Sequence, residues 1–308
     1  MRILLQDSGK DLDTWLSALS KYFPQADVRV WKEDDHDAAD FAIVWKPTAS
    51  LVNGRGIKAI FSRGAGVDGI LQLGADLPKD IPLVRLQDAG MGAQMVEYVV
   101  AAALRYFRGF DRYDALRRQY TWQVLAAPKR EEFSIGVLGM GVLGEKIARA
   151  LQHLGFPVHG WSRSPKSFAD LQCYSGSEQL PAFLKATRCL VCILPLTTET
   201  KGIINQHSLA QLPQGAFLIN VARGAHVVDA DLIAAIQSGQ LAGATLDVFQ
   251  QEPLPPEHGF WQEEKISMTP HIAALTIVDE SVAQIAQNVA RFEQGLVMQG
   301  VVDVERGY

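Results

Sequence analysis

Short apolar runs alternate along the chain with longer stretches in which apolar residues recur at helical spacing. In the first third, ILLQ (3–6), VRVW (28–31), FAIVW (41–45), IKAIF (57–61) and PLVRL (82–86) have the length and composition of strands. A long helical pattern, AQMVEYVVAAALRYFRGF (93–110), follows. A second series then runs FSIGVLG, FPVHGWS, CLVCILP, AFLINVA, ATLDVF and ISMTP, and a helical pattern over 278–296 comes last. Strand patterns separated by helical ones predict parallel sheets covered on both faces, an α/β fold. TWQVLAAPKREE (121–132), with its Pro and charges, reads as the seam between the two series. Neither a solenoid-length repeat nor a low-complexity tract is present.

Two turns carry the G-x-G-x-x-G pattern, GAGVDG (64–69) and GMGVLG (139–144). A dinucleotide turn needs a full helix behind it, because the helix N-terminus supplies the N–H groups and dipole that hold a pyrophosphate. After GMGVLG, Ile147, Ala148, Leu151 and Leu154 recur at helical spacing before Gly155. After GAGVDG, Gly74, Pro78 and Pro82 leave room for barely two helical turns. The second turn, Gly139, Met140, Gly141, Val142, Leu143 and Gly144, is therefore the expected cofactor site.

The end of the next strand selects the cofactor. An NAD enzyme places Asp or Glu there for the ribose hydroxyl, and a carboxylate would repel the 2′-phosphate of NADP. This chain has GWSRSPKS instead, giving Ser162, Arg163, Ser164 and Lys166. Hydroxyls and two cations suit a phosphate, and Arg adds forked donation. NADPH is expected over NADH.

Composition narrows the partners. With 48% hydrophobic and 20% charged residues, the 308-residue chain reads as an ordinary globular protein long enough for two cores. A net charge of -5 offers nothing to nucleic acid or an anionic membrane, and no apolar stretch reaches bilayer-spanning length. Cys189 and Cys192 have C-x-x-C spacing but lie in a strand-like run, with no second pair or neighbouring His to complete a metal set. They and Cys173 read as buried, reduced thiols, fitting a reducing cytoplasm.

Downstream of the cofactor turn, Arg223 in INVARG, Glu252 in DVFQQEPLPP and His271 in MTPH stand at the ends of successive strand patterns, where open α/β sheets place ligands. Taken singly, Arg223 also suits a helix-cap donor, Glu252 a surface loop charge and His271 a satisfied strand-end residue. An Arg can pair with a carboxylate and can also stabilise an oxygen that gains negative charge in a reaction. A His is the usual proton donor near neutrality, and an adjacent carboxylate orients an imidazole. The other His residues (36, 153, 159, 207, 226, 258) read as surface or structural.

GMGVLG, PLTTET (195–200), LINVARG, LDVFQQEPLPP and TPHIAA, in this order and spacing, resemble the D-isomer-specific 2-hydroxyacid dehydrogenases, and the resemblance covers the whole chain. VWKP near Trp45, GAGVD, GMGAQMVEY, the SRS turn and the closing VERGY are most similar to members reducing glyoxylate and hydroxypyruvate. The resemblance implies two Rossmann/flavodoxin-like domains with an active-site cleft between them. Residues 1–98 plus 282–308 would bind substrate and 99–281 would bind NADP, with the helical patterns at 93–110 and 278–296 as crossings and hinges. It implies that Arg223 binds substrate, that His271 is the general acid and that Glu252 is its partner. Leu194, Pro195, Val221, Ala222 and Asp247 would line the cofactor. Ala65, Gly66 and Val67 of the first turn would hold the substrate carboxylate, with Trp45 as pocket wall. The role of Arg63 is left open between a cleft-mouth charge and an outward-pointing side chain. A homodimer is expected, with Tyr120 and Trp122 reaching the partner or buried in their own loop. Two other readings remain: a dehydrogenase of larger 2-oxo acids, and a dinucleotide-sensing binding protein of the same fold.

Overall fold

A computed structural model describes residues 1–6, 9 and 11–308. Two compact units form, Met1–Met91 with Thr276–Tyr308, and Gly92–Leu275. The positions 98/99 and 281/282 fall within the helices Met91–Phe107 and Val278–Glu293.

The first unit carries strands β1 (Arg2–Leu5), β2 (Asp27–Val30), β3 (Phe41–Val44), β4 (Ala59–Ser62) and β5 (Leu83–Val84), all parallel, in the order β2-β1-β3-β4-β5. β3 and β4 are buried on both faces, which is why they read as continuous apolar runs and not as alternating ones. Leu4, Val44, Ile60, Ile70 and Leu83 belong to the core, each worth roughly 1.5–3 kcal/mol of burial. Behind β4 stands only the four-residue helix Asp68–Leu71, and Gly74 at φ +55° follows in a 3-10 turn. Lys21 and Tyr22, at the end of helix Leu12–Tyr22, hold Asp279 of helix Val278–Glu293 at 2.7 and 2.9 Å.

The second unit carries β6 (Ile135–Leu138), β7 (Val158–Ser162), β8 (Gln172–Ser175), β9 (Cys189–Cys192), β10 (Ala216–Asn220), β11 (Leu241–Leu246) and β12 (Ile266–Met268). They form one parallel sheet in the order β12-β11-β10-β9-β6-β7-β8. The chain winds outward in both directions from the β6–β9 pair, so the ligand-binding switch point lies at their carboxyl ends. Alternate residues feed opposite faces: Leu138, Leu190, Cys192 and Leu218 enter one core, and Val137, Cys189, Val191 and Ile219 the other. Polar β8 (QCYS) is largely half-buried and had no apolar run to announce it.

The long helical pattern divides in the structure. Met91–Phe107 ends, Gly109 takes φ +66°, and a new helix runs Phe110–Arg118. The break belongs to glycine, which adopts the left-handed region without a Cβ penalty. The 121–132 stretch holds no strand and lies inside the second unit. Among the described residues, no helix is long and apolar enough to cross a membrane.

Candidate active site

The GMGVLG turn joins β6 to the helix Val142–His153, and its glycines differ in what surrounds them. A Cβ on Gly144 would stand 1.9 Å from the Gly139 carbonyl oxygen, so helix and turn close only around a bare Cα. Gly139, at φ +121°, passes so close to the backbone after β9 that a Cβ would lie 2.7 Å from the Ile193 oxygen and 3.0 Å from the Leu194 nitrogen. A Cβ on Gly141 would meet nothing within 4 Å. Packing does not require that glycine, and the space beside it admits an anion against the backbone.

Of the two cations expected for a phosphate, one stands against this turn and the other reaches the loop after β9. Lys166 Nζ donates to the Met140 carbonyl at 2.5 Å, and Arg163 Nη1 reaches Glu199 of the PLTTET loop at 3.1 Å. Ser164 is exposed, whereas Ser162 is 7% exposed and its hydroxyl donates to the Ser164 carbonyl at 2.7 Å, shaping the turn. The open room at Gly141 and this donor set fit a phosphorylated dinucleotide. Leu194, Val221 and Ala222 are buried at strand ends, and Pro195 is half-buried.

Beyond β10, β11 and β12 the three chemical candidates take their places. His271 Nδ1 donates to Glu252 Oε2 at 2.8 Å, with both side chains about two-fifths exposed, and the Phe249 amide donates to Glu252 Oε1 at 3.0 Å. His271 sits at φ +57°, a left-handed conformation costing a non-glycine residue roughly 1–2 kcal/mol. Asp247, 1% exposed, offsets that strain. Its Oδ1 accepts from the Thr269 hydroxyl at 2.6 Å and the Ile272 amide at 2.8 Å, its Oδ2 from the Ala273 amide at 2.8 Å, and its carbonyl from the His271 amide at 2.8 Å. The Tyr98 hydroxyl extends the chain to Thr269 at 2.5 Å, and burial pushes its ionisation up to about 12, so it stays a donor. Both Asp247 carboxylate oxygens are therefore engaged in holding the His271 loop.

Arg223 is half-buried in extended backbone, and its Nη1 donates to the Ala222 carbonyl at 2.7 Å. Asn220 Nδ2 donates to the Arg223 carbonyl at 3.0 Å, and the Arg223 amide donates to His226 Nδ1 at 3.2 Å. A Cβ on Gly224 would fall 1.9 Å from the Phe249 carbonyl carbon, so the Arg223 turn rests directly on the loop that carries Glu252. His226, expected to be surface or structural, is structural: its imidazole is fully buried. Its only signal was a place three residues after Arg223.

In the first unit, the turn at 64–69 follows β4, with Ala65 and Gly66 half-buried and Val67 buried. Trp45 lies against it: a Cβ on Gly64 would stand 2.6 Å from the indole. Arg63 points elsewhere, stacked 4.5 Å from the Trp15 ring centroid and donating to the Gln6 carbonyl at 3.0 Å, at 6% exposure. It is a core cation and not a charge at a cleft mouth. Cys189 and Cys192 are buried on opposite faces of β9, and burial pushes both thiols up to about 12. Residues i and i+3 of a strand face apart, so this C-x-x-C cannot chelate. Cys173 is half-buried.

The chain belongs to the D-isomer-specific 2-hydroxyacid dehydrogenases: the family profile "D-isomer specific 2-hydroxyacid dehydrogenase, NAD binding domain" matches residues 100–273. It is 51% identical over 298 residues to glyoxylate/hydroxypyruvate reductase A of Salmonella paratyphi B, covering 96% of each chain. Among solved structures it is similar to a D-isomer-specific 2-hydroxyacid dehydrogenase of Xanthobacter autotrophicus in complex with NADPH and MES, with TM-score 0.94, 38% identity and coverage of 100% and 99% of the two chains. It is also similar to an NADPH-dependent glyoxylate/hydroxypyruvate reductase of Sinorhizobium meliloti in complex with NADP and sulfate, with TM-score 0.93, 37% identity and full coverage of both chains.

Proposed function

We propose that this protein reduces small 2-oxo acids with NADPH, glyoxylate to glycolate and hydroxypyruvate to D-glycerate. The observation that carries the reading is the 2.8 Å His271–Glu252 pair, set beyond the same sheet edge as the GMGVLG turn and its Lys166. Its support among the relatives is the Salmonella glyoxylate/hydroxypyruvate reductase A and the NADPH-dependent glyoxylate/hydroxypyruvate reductase of Sinorhizobium. The turn Gly139–Gly144 would hold the pyrophosphate, and Arg163, Ser164 and Lys166 would receive the 2′-phosphate on a turn that Ser162 shapes. When bound there, NADPH would supply the hydride. Arg223 pairs with the substrate carboxylate and offsets the charge growing on the ketone oxygen. His271 gives that oxygen a proton while Glu252 holds the ring, and solvent reprotonates the imidazole afterwards. The turn Ala65–Val67 offers backbone N–H groups to a carboxylate, and Trp45 limits the size of the acid. The chain works in a reducing cytoplasm, consistent with its three free thiols. Tyr120 and Trp122, 99% and 100% exposed, support a homodimer built through this arm.

NADPH oxidation measured with glyoxylate, hydroxypyruvate, pyruvate and phenylpyruvate tests the reading. The two small acids should give the highest kcat/KM, and His271→Ala should cost about 10²–10⁴-fold in kcat. Preference for phenylpyruvate, or full activity without His271, would overturn it.

A further inference from the structure

The imidazole of His226 is fully buried, and both its nitrogens are committed to backbone around Arg223. Nδ1 lies 3.2 Å from the Arg223 amide and 3.0 Å from the Arg223 carbonyl, and Nε2 lies 3.2 Å from the Pro195 carbonyl. One tautomer serves every group. With the proton on Nε2, the ring accepts the Arg223 amide and donates to Pro195, while Asn220 supplies the donor for the Arg223 carbonyl. Around it the same two segments are sewn together by backbone: Gly202 donates to Ala225, Ile204 to His226 and Val228 to Ile204, each at 2.9 Å. The ring thus links the peptide that carries the guanidinium to the loop that follows β9.

We propose that His226 is a positioning residue for substrate recognition, its Nδ1 fixing the Arg223 peptide so that the guanidinium meets the 2-oxo acid carboxylate in one geometry. This rests on the reading of Arg223 as the substrate-binding cation. An apolar ring-sized side chain would leave the Arg223 amide without its acceptor, and the peptide would turn to find another. A displacement on the order of 1 Å at a positioning group can cost about a hundredfold in rate.

Three variants separate this role from a purely structural one. Asn places an oxygen near the Nδ1 position, Gln places an amide near the Nε2 position, and Leu provides neither. His226→Leu and His226→Gln should raise the glyoxylate KM and the oxalate inhibition constant about tenfold or more. His226→Asn should restore both to within a few-fold of the parent. NADPH affinity, read from nicotinamide fluorescence without substrate, should change far less than the glyoxylate KM, any small loss coming through the Pro195 carbonyl that Nε2 also holds. Combined with Arg223→Gln, His226→Leu should add little, because both act through one guanidinium. Parent-like values in His226→Leu would overturn the proposal, as would equal losses in Asn and Gln variants or a parallel fall in NADPH affinity. If Leu fails to fold, the Asn–Gln contrast decides alone. If Arg223→Gln itself keeps the parent's glyoxylate KM and oxalate inhibition, it is the assignment of Arg223 that fails.

Discussion

Arg163 and Lys166 show how little a cation's presence says about its employment. Lys166 spends its ammonium on the Met140 carbonyl and Arg163 reaches Glu199, in a half-exposed pair of the kind worth about 0–1 kcal/mol. A dianionic 2′-phosphate can take Arg163 from Glu199 at small cost, whereas an acid at 163 would repel it. Arg163→Asp should lower kcat/KM with NADPH by about ten- to hundredfold, since a hydrogen bond to a charged group is worth roughly 1.5–3 kcal/mol, and leave NADH the better cofactor. Steady-state rates with each cofactor check this, and an unchanged ratio would remove Arg163 from the selection. The cations were legible from residue type alone. The burial of Arg63 against Trp15 was not, because a charged side chain beside a glycine turn carries no mark of the direction it takes.

Elements decide where the candidates stand. The loop after β12 bends into the left-handed region at His271 because the buried Asp247 carboxylate gathers Thr269, Ile272 and Ala273 around itself. Asp247→Asn turns one acceptor into a donor that faces an amide, leaving a buried group unsatisfied at roughly 1–3 kcal/mol. The expected result is a lower Tm and at least about a tenfold fall in kcat as His271 loses its place. A variant with parental kcat would show that the loop holds itself. Strand and helix positions were readable because both faces of each sheet are covered, which turns parallel strands into apolar runs. Polar edge strand β8 had no such run, and the helix break at Gly109 was hidden by apolar spacing that continues across it. Asp247 was noticed, but a contact made across 25 residues of chain leaves no local pattern. The same holds for His226 and Pro195.

At the scale of the whole molecule, stability should depend on acid through His159. Burial pushes this imidazole down to about 4 from its ordinary 6.5, and Nε2 donates to the Thr187 hydroxyl at 2.8 Å beneath Gly136. The folded state thus binds fewer protons than the unfolded chain between those values. The contribution is fully present above pH 6.5 and is lost as pH falls toward 4, up to roughly 3 kcal/mol. Urea denaturation at pH 7, 5.5 and 4.5 should show this decline, and His159→Gln should flatten it. Parallel curves for the two proteins would assign the acid sensitivity elsewhere.

Strand β9 carries a consequence of its own. Its two sulfurs, three residues apart in sequence, are separated by the thickness of the sheet and lie in different cores. An oxidant cannot join them without tearing the central strand from its neighbours, so a spacing that elsewhere makes a redox switch is here kept inert by the backbone between them.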